Sequence, residues 1–172
     1  ETTVMVLSPD GAYVTVSSSS VSSGFDDMIE YGEYVELSLT LENVGNEAAN
    51  GVTVNLSTDD PYISIFNGSA STSYIASNGE ATVSGLSFDV SGSVPNNHNF
   101  DLNCVISSGG ETWESIMTFI AYAPELNVVS VVGDLDPGYS TDISAVIINN
   151  GGTQITYPFV VVQSDPYVVI NS

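Results

Sequence analysis

The sequence predicts an all-β protein: an antiparallel β-sandwich repeated in tandem, one domain complete and a second one partial. Three observations lead there. Apolar and polar residues alternate with a period of two along much of the 172-residue chain, the pattern of strands with one buried face. Clusters of Asn, Gly, Ser and Pro break the alternation at short intervals, as turns do. Long stretches of the first half return, in order, near the end of the chain.

Taken in order, residues 1–9, "ETTVMVLSP", read as the terminal strand of a preceding repeat. Residues 10–123 read as a complete sandwich. Its first strand leads into an acidic loop, "GFDDMIEYGE", Gly24 to Glu33. "EYVELSLTLEN" then alternates Val35, Leu37, Leu39 and Leu41 with Glu36, Ser38, Thr40 and Glu42, a half-buried strand. "GVTVNLST" places Val52, Val54 and Leu56 on one face. "ATVSGLSFDV", "FDLNCVIS" and "ESIMTFIAY" continue the theme, with turns at "NVGN", "SNGE", "SVPNN" and "SSGG". Residues 124–172 read as the first part of a second sandwich, with the more continuously apolar strands "DISAVIINN" and "YPFVVVQ" about the turn "NNGG". No segment has a helical period. A long up-and-down barrel is a poorer fit, because the repeat is too short for one.

The repeat sets these boundaries. "YGEYVELSLTLENVGN" aligns with "PGYSTDISAVIINNGG", placing Asn43 over Asn149 at an offset of 106. "DPYISI" aligns with "DPYVVI", Asp60 over Asp165. Before the acidic loop the offset is 112, with Met5 over Met117 and Val16 over Val128, so the first copy carries the longer loop. A period of just over 100 residues is one immunoglobulin-sized sandwich. On this reading Ser172 falls in mid-domain, and three situations would account for it: a window on a longer tandem array, a remainder that is disordered, or strands donated by a neighbouring chain into a filament.

Composition narrows the partners. The chain has no Lys or Arg, 21 acidic residues and a formal net charge of −21. With 42% hydrophobic residues it can bury a core and is not a disordered acidic tail. Without cations it lacks the electrostatic attraction that drives nucleic-acid binding or adhesion to anionic membranes. No apolar run is long enough for a membrane-spanning helix. The charge suits solubility, resistance to proteases that cut after basic residues, or an acidic or saline habitat. The single cysteine, Cys104, can form no internal disulfide, and its alternating neighbours place it in a core.

The words that carry the repeat also carry a resemblance. An acidic loop, then "YGEYVELSLTLENVGNEAANGVTVNLSTDDPYISI", resembles a bacterial immunoglobulin-like repeat: a "PGE" turn, a long strand ending in N-x-G, then D-P-Y-V-x-I. Such repeats are similar to those that follow gingipain-like cysteine peptidase domains and those of large secreted surface proteins. The resemblance covers residues 24–130 and part of 133–172. It implies an extracellular, noncatalytic module and names no ligand. The first copy departs from the pattern with "YGE"; the second keeps Pro137 and Gly138 but has Tyr139 where Glu33 stands.

Candidate chemistry is sparse. Asp26, Asp27, Glu30 and Glu33 crowd four carboxylates into the acidic loop. Hard cations take 6–8 oxygen ligands, so calcium is the cofactor this loop suits, set against a plain solvated loop; the EF-hand spacing is missing. Asp134 and Asp136 make a weaker second copy. Asp59 and Asp60 could join the first group, although Asp-Pro more often opens a turn. His98 is the sole histidine, so zinc ligation is unsupported and no Ser-His-Asp set is assembled; the catalytic residues expected are none. Tyr13, Tyr62, Tyr74, Tyr122 and Trp113 could stack on sugars or pack in the core. Asn55 and Asn67 head two N-x-S glycosylation sequons. The expected partners are neighbouring repeats or copies of the same protein, with glycans or surface proteins if the module is an adhesin, or a peptidase if it is an accessory domain.

Overall fold

A computed structural model describes residues 9–24, 26–134, 136–156, 158–163 and 165–170. The chain divides into two compact units, Glu1–Ala123 and Pro124–Ser172. Residues 1–8, where the strand of a preceding repeat is expected, lie outside the described residues. Among the described residues there is no helix.

The first unit holds eight strands: β1 (Val14–Ser23), β2 (Tyr34–Asn43), β3 (Ala49–Ser57), β4 (Ile63–Asn67), β5 (Ser69–Ile75), β6 (Gly79–Val90), β7 (His98–Ser108) and β8 (Glu111–Ala121). They form two four-stranded antiparallel sheets, ordered β1-β2-β6-β4 and β5-β3-β7-β8. With β1, β2 and β6 in one sheet and β3, β7 and β8 in the other, the crossings between sheets are those of an immunoglobulin-like sandwich. β4 and β5 each widen one sheet by a strand.

The alternation read from the sequence is the alternation that is buried. Val35, Leu37, Leu39 and Leu41 of β2 are all fully buried, as are Val52 and Val54 of β3 opposite them. Leu102 and Ile106 of β7 and Leu86 and Phe88 of β6 fill the space between. Phe88 meets Phe100 edge to face at 5.7 Å, and Phe100 stacks on Phe119, favourable geometries for neighbouring rings. Cys104 lies in this core at 1% exposure, and burial pushes its thiol up from 9.0 to about 11. Two strands escaped the sequence reading. β4 has five residues, and β5, "SASTSYI", is a largely exposed Ser-rich edge. Neither offers an apolar face long enough to announce itself; pairing with β6 and β3 makes them strands.

Without Lys or Arg, neutral side chains tie the loops. Ser77 Oγ donates to the Gly45 carbonyl at 2.9 Å, Thr58 Oγ1 to Asp101 at 2.7 Å, and Ser108 Oγ to Asn50 at 2.8 Å. Among the described residues the one contact of ion-pair geometry is His98 Nε2 to Asp60 Oδ2, at 2.7 Å.

The second unit contains β9 (Leu126–Val132) and β10 (Ser144–Asn149), an antiparallel pair. It reproduces the β1–β2 pair. Val14 faces Asn43, and Leu126 faces Asn149. The first register slips between Val16 and Ser18, opposite Leu41 and Thr40; the second slips at the matching place, opposite Ile147 and Val146. One strand of each pair therefore carries the same β-bulge, a feature that bends and twists the strand that holds it. Every residue of β9 and β10 is exposed, although the counterparts Val14, Leu39, Leu41 and Asn43 in the first unit are buried. The segment 158–163, expected as a strand, has no regular secondary structure. Its counterpart β3 is a central strand between β5 and β7, and such a strand exists through its ladders on both sides.

Candidate functional site

Two local structures hold the residues that the sequence singles out. The first is the loop from Gly24 to Glu33. Gly24 takes φ +51°, and a Cβ there would run into the Glu33 carboxylate, so glycine answers both the conformation and the close approach. Glu33 Oε2 accepts the Ser23 hydroxyl at 2.5 Å and the Glu30 amide at 3.1 Å. Asp26 Oδ1 accepts the Met28 amide at 3.1 Å, and the Asp27 amide reaches the Ser23 carbonyl at 3.1 Å with φ +58°. Ile29, 5% exposed, anchors the loop to the core. Its carbonyl accepts the Tyr122 amide, the Tyr122 carbonyl accepts the Tyr31 amide, both at 2.9 Å, and the loop is thereby sewn to the end of β8.

The four carboxylates expected to gather for a cation are spread along this loop. Asp26 and Asp27 are exposed, while Glu30 and Glu33 are half-buried. Glu33 is turned inward, where it caps the loop's own donors. Among the described residues no three or more His, Cys, Asp or Glu side chains stand together so as to hold a metal ion. In the second unit Tyr139, at Glu33's place in the repeat, is 82% exposed, and its amide closes a turn on the Asp136 carbonyl at 3.2 Å.

The second local structure surrounds Asn43, the final residue of β2 and fully buried. Its Oδ1 accepts the amides of Tyr13 at 3.0 Å and Gly45 at 3.1 Å. Its Nδ2 donates to the carbonyls of Glu47 at 2.7 Å, Ala76 at 3.2 Å and Ile75 at 3.4 Å. One amide thus joins the entry to β1, the β2–β3 turn and the exit of β5. Gly45 passes so close to the β1 entry that a Cβ would lie 2.6 Å from the Tyr13 nitrogen and 2.8 Å from the Ala12 carbonyl carbon. Asn149 repeats the arrangement: Oδ1 accepts Glu125 at 2.9 Å and Gly151 at 3.0 Å, and Nδ2 donates to Thr153 at 2.7 Å. The N-x-G signal is therefore a backbone clamp.

The other sequence candidates resolve individually. Asp60 Oδ1 accepts the Tyr62 amide at 2.9 Å, and Asp165 does the same for Tyr167 at 2.9 Å, so both Asp-Pro pairs open turns. Asp60 Oδ2 faces His98 Nε2, whose ring meets Tyr62 edge to face at 5.0 Å. Of the five aromatic residues proposed as a patch, Tyr13 and Trp113 touch, at 6.1 Å between centroids. Tyr62 instead packs on His98, and Tyr74 stands exposed on β5. Asn55 is exposed on β3, and Asn67 is exposed at the end of β4 with its Nδ2 donating to Gly85 at 2.5 Å. The described residues contain no helix long and apolar enough to cross a membrane.

Comparisons with known proteins give structural likenesses at low identity. No family model matches the chain, and no curated protein does. A part of Escherichia coli alpha-2-macroglobulin, running from its domain MG7 to the C-terminus, is similar at 14% identity with a TM-score of 0.48. The match covers 75% of this chain and 20% of that one, so this chain spans about a fifth of its length. A FixG-related protein from Vibrio parahaemolyticus is similar at 11% identity and a TM-score of 0.34, over 60% of this chain and 94% of that one. The secreted serine protease VesC from Vibrio cholerae is similar at 16% identity and a TM-score of 0.37, over 67% of this chain and 28% of that one.

Sequence reasoning missed two exposed rings. Tyr34 of β2 and Phe66 of β4 meet edge to face at 5.6 Å. They lie in different strands of one sheet, and β4 gave no strand signal, so nothing in the sequence paired them.

Proposed function

We propose that this chain is a noncatalytic structural and interaction module of a tandem immunoglobulin-like array, acting as a spacer or stalk in a secreted or cell-surface protein. The observation that carries this reading is the second hairpin. β9 and β10 copy the register, the bulge and the asparagine clamp of β1 and β2. A unit that repeats its neighbour's opening strands in such detail is built to be covered as the neighbour is covered. Val14, Leu37 and Leu41 are fully buried in the first unit. Their counterparts Leu126, Ile143 and Ile147 are 44%, 50% and 36% exposed. Strands in the positions of β6 and β7 would bury them, supplied by further repeats or by a neighbouring copy; repeat proteins gain stability from such units in series. The secreted placement rests on the likeness of the sequence to repeats of bacterial surface proteins.

The test is a graft. Residues 68–123 appended after Ser172 supply a second β5–β8. Hydrogen exchange should then show β9 and β10 protected to the same extent as β1 and β2. Small-angle scattering of chains with increasing numbers of repeats should show the maximum dimension growing in equal steps. Amides of β9 and β10 that exchange as fast with the graft as without it would refute the reading.

A further inference from the structure

On the outer face of the β1-β2-β6-β4 sheet lies an arrangement that the spacer role does not require. Tyr34 of β2 and Ser64 of β4 both stand opposite Asp89 of the intervening strand β6. Glu36 and Asn67 both stand opposite Ser87. Strands on either side of a shared neighbour are about 10 Å apart, yet the Tyr34 and Phe66 ring centroids are 5.6 Å apart. The rings therefore lean toward each other over β6. The alternation that sends Leu86 and Phe88 into the core sends Ser87 to this outer face. There it is 1% exposed, and its Oγ has no hydrogen-bond partner among the described residues. The rings themselves are open, Tyr34 at 46% and Phe66 at 72%. Glu36 and Asp89 are exposed, and their carboxylates make no hydrogen bond among the described residues.

We propose that this face is a binding site for a cationic side chain, specifically the guanidinium of an arginine in a partner protein. The chemistry is complementary at each contact. Two ring faces attract a cation through their quadrupoles. Two carboxylates beside them accept its N–H groups in the forked geometry that guanidinium offers and ammonium does not. Ser87 Oγ is a buried acceptor in want of a donor. The wider field favours the same ligand: a chain of net charge −21 with no Lys or Arg draws cations toward its whole surface and offers them no competing cation of its own. The site lies wholly within the first unit, so it does not depend on how the second is completed.

The test is a titration of the full chain with N-acetyl-arginine amide, followed through the ring resonances of Tyr34 and Phe66. Saturable shifts at both rings are expected, and binding should weaken as salt rises. Phe66→Ala, which leaves every charge in place, should weaken binding about fivefold, the scale of one exposed cation–π contact. Asp89→Asn should weaken it further. Tyr74→Ala, at another exposed ring, should leave it unchanged. Equal affinity in Phe66→Ala and the unaltered chain would overturn the proposal and reduce the effect to diffuse attraction. Rings that respond to a neutral oligosaccharide and not to the arginine derivative would overturn it in favour of a glycan site.

Discussion

Asn43 and Asn149 stand at the same register position in their hairpins, one opposite Val14 and the other opposite Leu126, and each accepts two backbone amides through Oδ1 while Nδ2 holds a carbonyl four residues on. Removing the first amide strands two buried donors and the carbonyls it caps. Asn43→Ala is expected to destabilise the first unit by about 3 kcal/mol, the scale of leaving buried polar groups unpaired. Chemical denaturation monitored at Trp113 measures it, and a loss near zero would show that water replaces the clamp. Asn43→Asp should also destabilise, because a carboxylate cannot donate to Glu47, Ile75 and Ala76.

Gly45 tests the same corner from the backbone side. A methyl group there meets the Gly11–Tyr13 backbone, which cannot swing aside as a flexible side chain can. Gly45→Ala should cost about 2 kcal/mol or more, within the range of overpacked sites. Gly92→Ala is the matched control, since its Cβ meets nothing within 4 Å and its φ is not positive. Equal thermal midpoints for the two variants would contradict the close approach.

Cys104 gives a pH dependence with a definite sign. Its folded pKa of about 11 lies above the ordinary value of 9.0 because burial disfavours the thiolate. The folded state therefore keeps the proton longer than the unfolded chain does. Stability from this group is complete below pH 9 and falls as pH rises toward 11, by about 3 kcal/mol in all. Denaturation curves across that window should show the decline, and Cys104→Ala should remove this share of it. A slope unchanged by the substitution would show that the thiol is not what loses its proton.

The acidic loop makes a different prediction. Its amides are already bonded to Glu33, Asp26 and Ser23, and the carboxylates do not converge. Adding calcium should leave the thermal midpoint where added magnesium leaves it. A calcium-specific rise that disappears in Asp26→Asn with Asp27→Asn would instead assign a cation to the loop. Glu33→Gln tests the internal role: the amide can still accept through Oε1 but as a weaker, uncharged acceptor, so a loss of about 1 kcal/mol is expected.

Much of the fold was legible because it follows from side-chain alternation, which the sequence states directly. Val35, Leu37, Leu39 and Leu41 announce β2, and the Asn43–Asn149 offset announces the duplicated hairpin. β4 and β5 were illegible because a five-residue strand and an exposed Ser-rich edge become strands through their partners' ladders, not through their own patterns. In the acidic loop the fold adds what the sequence does not state. Four carboxylates close in sequence suggest a common target; that Glu33 accepts the Ser23 hydroxyl and the Glu30 amide is set by the fold, which turns it inward. Tyr34 and Phe66 meet because β6 comes between their strands, a neighbour relation that no local reading of the chain contains.

The matching bulges of the two hairpins have a practical consequence. Offsets of 112 before the first loop and 106 after it coexist with matching register over the run from Val14↔Asn43 to Ser20↔Ser38 and its counterpart from Leu126↔Asn149 to Val132↔Ser144. All of that length variation is thus absorbed between Ser20 and Ser38, whose counterparts are Val132 and Ser144, leaving the paired residues on either side in matching register. For protein engineering this makes the corresponding turn of the second unit, between β9 and β10, a natural entry point for a fluorophore, an affinity handle or a guest peptide.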